Sequence, residues 1–141
     1  MKLQIIEDDS QKIEGFETIF VNKQNPNLNL DNIPNNSCEL IIAKGTLDNT
    51  EDPSVSLNKI CSKLRSGGSV IVSGVELRCF FKNVINGITD EASASALIGK
   101  NLSLSTITSV KSGLRSLGLF VKTSTINGAF YEVTAERRQI Q

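Results

Sequence analysis

Residues 52–77 read DPSVSLNKICSKLRSGGSVIVSGVEL, and a helix, a tight turn, a buried strand and a second helix start follow one another there. Asp52 can cap a helix whose first residue is Pro53, because the N–H that proline lacks has no intrahelical partner at that position. Leu57, Ile60, Cys61 and Leu64 recur at i, i+3, i+4 and i+7 and make one apolar stripe. Gly67-Gly68 is predicted to end the helix, since glycine accepts a left-handed closing turn at little steric cost. Ser69-Val70-Ile71-Val72-Ser73 is the short β-branched run expected inside a parallel sheet. A helix packed back on such a strand is half of a crossover unit, so the architecture is α/β.

The same residues carry a family resemblance. Asp52-Pro53, the amphipathic helix, Lys63-Leu64-Arg65-Ser66-Gly67-Gly68 and the apolar strand resemble the "DP…L…LKPGG" segment of class I S-adenosylmethionine-dependent methyltransferases. Leu3-Gln4-Ile5-Ile6 followed by Lys12-Ile13-Glu14-Gly15-Phe16 is similar to the opening of small members of that family. Cys38-Glu39-Leu40-Ile41-Ile42 takes the place of the family's fourth strand, and Leu114–Ala135 looks like its final helix and β-hairpin. The resemblance implies a Rossmann-like, mostly parallel sheet with an antiparallel C-terminal hairpin, three-layered but with reduced helices on one face. It also implies S-adenosylmethionine as cofactor.

Composition bounds the alternatives. The 141 residues fit one domain spanning 1–141 with a core that needs no metal or disulfide staple. Fifteen basic residues balance fifteen acidic ones, and neither sign forms a block, so nucleic-acid binding is not indicated. No apolar run is long enough to span a bilayer and no signal-peptide core follows Met1-Lys2, which reads as a cytoplasmic protein. Cys38, Cys61 and Cys79 are widely spaced in apolar surroundings and read as buried thiols. Histidine is absent, which removes imidazole bases, Ser-His or Cys-His pairs and the usual zinc sites. Chemistry would have to use carboxylates, lysine, tyrosine or a bound cofactor.

In order along the chain, the first strand is expected at Lys2–Ile6. Glu7-Asp8-Asp9-Ser10 follows, where the resembling family has a glycine-rich loop that lets backbone approach the cofactor. Three carboxylates there would face the cofactor's own carboxylate, and like charges at close range disfavour binding. The triplet reads as a solvated turn and not a metal site, because Gly15 lies too far on for a calcium loop. The second strand, Phe16–Val21, ends at Asn22, where related nucleotide-binding folds place a ribose-binding acid. Asn22–Ser37 is rich in asparagine and reads as an irregular connection with Leu28, Leu30 and Ile33 as apolar pegs. The segments between the first strands are too short or polar to supply helices, so one sheet face would be left open and a homodimer is expected.

After the strand at Cys38–Ile42, Leu47-Asp48-Asn49 stands where the family has "LEH", with a shortened acid and no imidazole. Lys44 and Asp48 are candidates for a polar pocket rim. Leu77, Phe80, Phe81, Val84 and Ile85 form an apolar helical stripe expected to face the core, ending at Asn86-Gly87. Thr89 is expected to cap a short helix through Ile98, and Ser103 or Ser105 to open the last helix. Strands Leu119–Thr125 and Ala129–Ala135 flank Asn127-Gly128, a two-residue hairpin signal. Phe130 and Val133 are expected inward, Tyr131 at an amphipathic strand position or in a pocket, and Glu136–Gln141 as a frayed tail. From the resemblance, the cofactor pocket would be lined by Glu7, Asp8, Asn22, Lys44, Thr46 and Glu76, with no metal and no assigned catalytic residue. The altered positions imply a methyltransferase-like protein with a degenerate cofactor site that survives as a binding or assembly module. The alternative is an active methyltransferase on an unknown acceptor.

Overall fold

A computed structural model describes residues 1–139. Six strands form one sheet in the order β2-β1-β3-β4-β6-β5, with β1 at Lys2–Ile6, β2 at Glu17–Phe20, β3 at Cys38–Lys44, β4 at Leu64–Val75, β5 at Phe120–Asn127 and β6 at Phe130–Glu136. β2, β1, β3 and β4 run parallel, while β6 pairs antiparallel with both β4 and β5. Ile41 lies beside Val70 as a parallel neighbour, so the β-branched run does sit in the sheet interior. The sequence thus yields the expected α/β sheet with its antiparallel C-terminal pair.

Helices α1 (Pro53–Ser62) and α4 (Ile107–Ser116) lie side by side over one face of that sheet. Leu57, Ile60 and Cys61 of α1, with Val110 and Leu114 of α4, meet Ile41, Val70, Val72, Val133 and Ala135 in the main core. Leu28, Leu30 and Ile33 plug the same core from the irregular segment, which is how a helix-poor connection still covers β1 and β2. On the other face Leu97 and Lys100 stand across a cavity from Lys44, Ser73 and Glu132, and the stretch between β1 and β2 crosses near β1. Gln4 anchors that crossing, its amide exchanging 2.9 Å hydrogen bonds with the backbone N–H and carbonyl of Ile13. Helices α2 (Leu77–Ile85) and α3 (Glu91–Lys100) sit at the carboxyl edge around a small second core of Val75, Phe80 and Ala94.

Several local expectations are corrected. α1 ends at Ser62, and β4 begins at Leu64 and runs through the glycines. A Cβ on Gly68 would stand 2.8 Å from the Cys38 carbonyl oxygen, so this glycine serves a close backbone approach and does not cap a helix. Thr89 and the serines lose the capping positions to Asp90, which accepts from Ser93 N–H at 2.7 Å, and Thr106, which accepts from Ser109 N–H at 3.1 Å. The α2 stripe is wider than the core it meets: Phe80 is buried, but Ile85 is 82% exposed. Phe130 also points outward at 56% exposure, as period-two alternation demands once Tyr131 and Val133 face the core. Arg137 is not frayed, since its N–H and carbonyl pair with Gly68 and Gly67 and its guanidinium donates to the Cys61 carbonyl. The last two residues of the expected tail lie outside the described residues.

Candidate functional site

Open α/β sheets bind ligands beyond the carboxyl ends of their strands. Here β1, β3 and β4 end around two adjoining cavities of about 480 and 570 Å³, and Glu7 lines both. The larger is bounded by Asn22, Lys23, Gln24, Asn49, Gly99 and Lys100. The other lies under the end of α3, with Lys44, Asp48, Gly74, Tyr131 and Glu132 among its walls.

Glu7 is the hub of this crevice. Its carboxylate accepts from Asn49 Nδ2 at 2.9 Å and meets Lys100 Nζ at 3.3 Å, so one side chain links β1, the loop after β3 and the end of α3. Lys23 donates to the Gly99 carbonyl and draws the same end of α3 toward β2. In the turn after β1 three backbone donors are taken: Glu7 N–H by Gln11 Oε1, Ser10 N–H by Asp8 Oδ1 and Gln11 N–H by the Asp8 carbonyl. The Ser10 hydrogen bonds hold exposed Asp8 below the ordinary carboxylate range. Asn22 is likewise engaged at both ends of its amide, donating to the Glu7 carbonyl and accepting from Asn25 N–H.

Of the six residues expected around a cofactor, the structure gathers Glu7, Asn22 and Lys44 at the crevice. Asp8 faces solvent from the turn. Thr46 is buried below, its hydroxyl 3.4 Å from the Ile5 carbonyl oxygen. Glu76 is buried as a double cap: Oε1 accepts from Arg78 and Cys79 N–H of α2, and Oε2 from Ile107 N–H of α4. Among the described residues no three histidine, cysteine or acidic side chains gather as metal ligands.

Asp48 is the most perturbed carboxylate of the site. It is 3% exposed, Oδ2 accepts from Val75 N–H at 2.9 Å, and Oδ1 has no partner among the described residues. Burial, reinforced by the charge of Glu7, pushes its pKa up to about 7 against the Val75 hydrogen bond and the Lys100 charge. Near neutrality this carboxyl can therefore hold or release a proton. A Cβ on residue 74 would stand 2.8 Å from Oδ2, so Gly74 makes the room for it. The Asp48 carbonyl also accepts from Leu102 and Ser103 N–H, fastening the chain between α3 and α4. Nearby, the Tyr131 hydroxyl is buried without a partner among the described residues, and burial raises its pKa above the phenol range.

Sequence reasoning placed Lys44 and Asp48 on a pocket rim and left Tyr131 between a pocket and an ordinary strand position, but it did not join Asn49 or Lys100 to the site. Tyr131 left a local sign, through the alternation of β6. The tie between Glu7 and Lys100 joins residues 93 positions apart by subtraction of their numbers, and no spacing motif announces it.

No family model matches the chain, and no curated protein does. Solved structures do resemble it. A SAM-dependent methyltransferase from Thermotoga maritima aligns over 97% of this chain and 82% of its own with a TM-score of 0.62 at 15% identity. An S-adenosylmethionine-dependent methyltransferase from Mesorhizobium loti aligns over 91% and 72% with a TM-score of 0.61 at 13% identity. For an O-methyltransferase family protein from Burkholderia thailandensis the values are 89% and 37%, with a TM-score of 0.63 at 13% identity. With the strand order and antiparallel terminal pair, these likenesses identify the fold as that of the class I S-adenosylmethionine-dependent methyltransferases.

Proposed function

We propose that this chain is a methyltransferase-fold protein that works in the cytoplasm without S-adenosylmethionine, as a binding or assembly module. The observation that carries this reading is Glu7. Its carboxylate occupies the place where the resembling family brings bare backbone to the cofactor, and it is tied to both Asn49 and Lys100. The cofactor's methionine carboxylate would meet the Glu7 carboxylate, with exposed Asp8 and Asp9 adding negative charge from the turn and the N–H groups of Glu7, Ser10 and Gln11 already engaged. At the ribose position Asn22 offers no acid, and both ends of its amide are in use. The residues present therefore do not fit the cofactor, and its binding would first require breaking buried and half-buried contacts.

The test is thermal. A ligand held at about a hundred times its dissociation constant adds roughly 2.7 kcal/mol to a folded protein, which a melting curve reads easily. Millimolar S-adenosylmethionine or S-adenosylhomocysteine is expected to leave the Tm unmoved. Asp48 favours a second reading, because a buried carboxyl with a pKa of about 7 and a free oxygen beside a cavity is the kind of group active sites maintain. That reading is an active methyltransferase on an unknown acceptor, and a clear upward shift in Tm with either compound selects it.

A further inference from the structure

The cavity of about 480 Å³ under the end of α3 adjoins the space beside Asn22 and Lys23 but has walls of its own. Lys44, Ser73 and Glu132 stand there in one row across β3, β4 and β6. The row lies on the sheet face opposite α1 and α4, because Val70 and Val72 of β4 turn the other way into the core. The next row toward the carboxyl edge pairs Val75 with Phe130, and Leu97 of α3 belongs to the opposite wall. The result is a slot with polar groups along one side and apolar ones beyond them.

The charges of the slot are unevenly spent. Glu7 and Lys100 neutralise each other at 3.3 Å. Lys44 and Glu132 have no ion-pair partner among the described residues, although they are opposite in sign and share a row. Two strand spacings of about 4.8 Å hold their backbones roughly 10 Å apart, and side chains that stand up from a sheet do not close such a gap. Asp48, a buried wall of the same cavity, keeps Oδ1 unpartnered among the described residues, an acceptor that no protein group has claimed. Phe130 leaves 56% of its surface exposed at the cavity wall. Convergent polar groups beside apolar surface in a cavity of this size are the make-up of a small-molecule site.

We propose that this slot binds an α-amino acid with an apolar side chain, its carboxylate toward Lys44, its ammonium toward Glu132 and its side chain between Phe130 and Leu97. Two charge-assisted hydrogen bonds of about 2.8 Å, with the 3 Å or so between the amine and carboxylate of such a ligand, span roughly 9 Å. That matches the separation of the two strands that carry Lys44 and Glu132. The reverse orientation sets like charge against like. A plain amine leaves Lys44 unanswered, a plain carboxylate leaves Glu132 unanswered, and a zwitterion with a longer chain between its charges overruns the gap. The inference rests on the reading of the chain as a binding module and names what it binds.

Amide proton–nitrogen spectra of the whole chain, titrated with L-phenylalanine to about 20 mM, test the proposal, since a ligand of about a dozen non-hydrogen atoms binds in the millimolar range or tighter. Saturable shifts are expected at residues 44, 73–75 and 129–132. The analogues 2-phenylethylamine, which lacks the carboxylate, and 3-phenylpropionate, which lacks the ammonium, each bind at least about fivefold more weakly. K44Q weakens phenylalanine and 3-phenylpropionate but not 2-phenylethylamine, and E132Q weakens phenylalanine and 2-phenylethylamine but not 3-phenylpropionate. Both exchange an exposed side chain; should either variant not fold, the analogue series on the parent decides alone. No saturable shift by 20 mM, analogues that match phenylalanine, or variants that weaken all three ligands alike would each overturn the proposal. Failure of the binding-module reading shows separately, as saturable shifts at residues 6–11 and 22 when S-adenosylhomocysteine is added.

Discussion

Asp48 is held between opposing demands, since Val75 N–H favours its charged form while burial beside Glu7 opposes it, and burial wins. The folded state binds this proton more tightly than the unfolded chain does. The Asp48 contribution to stability is therefore fully present below pH 4, falls as pH rises toward 7 and is lost above that. A rise from 3.8 to about 7 corresponds to a ceiling of about 4 kcal/mol. Asp48→Asn, which keeps an acceptor for Val75, should flatten this slope and stabilise the protein at pH 8 by about 2–4 kcal/mol. Urea denaturation from pH 4 to 8 checks it, and parallel curves for parent and variant would contradict the account. Gly74→Ala should cost about 1–3 kcal/mol, because the new methyl meets the pinned Asp48 carboxylate. The cost should shrink in an Asp48→Ala background if that contact is its cause.

The element ends show where local sequence signals suffice and where they fail. Asp52 before Pro53 gave a true helix start, and its carboxylate accepts from Ser54 and Val55 N–H. Asn127-Gly128 marked a true hairpin with its turn one residue off: Asn127 ends β5 opposite Phe130, and the loop is Gly128-Ala129, with the left-handed conformation at Gly128, where glycine adopts it freely. Glycine was misread at Gly68, since a residue needed to clear the Cys38 carbonyl looks in sequence like one that ends a helix. Glu76 was misread for a related reason: its partner in α4, the Ile107 N–H, is brought near only by the fold. This single carboxylate caps two helices, so Glu76→Ala should cost about 2–3 kcal/mol in chemical denaturation. A loss below about 0.5 kcal/mol would show that the caps are replaceable by water.

At the scale of the molecule, the sheet was legible because its interior strands are β-branched runs whose register is set by burial. The crevice was legible as a loss of glycine after β1 and as a polar rim at Lys44 and Asp48. What took the place of that glycine depends on Lys100 and Asn49 arriving from distant elements, which no local pattern encodes. The central claim is that the chain's own contacts fill the position a cofactor would need. The most direct measurement is a set of amide proton–nitrogen spectra recorded while S-adenosylhomocysteine is added to about a millimolar. The account predicts unchanged resonances for residues 6–11, 22 and 45–49, whereas saturable shifts confined to those amides would contradict it.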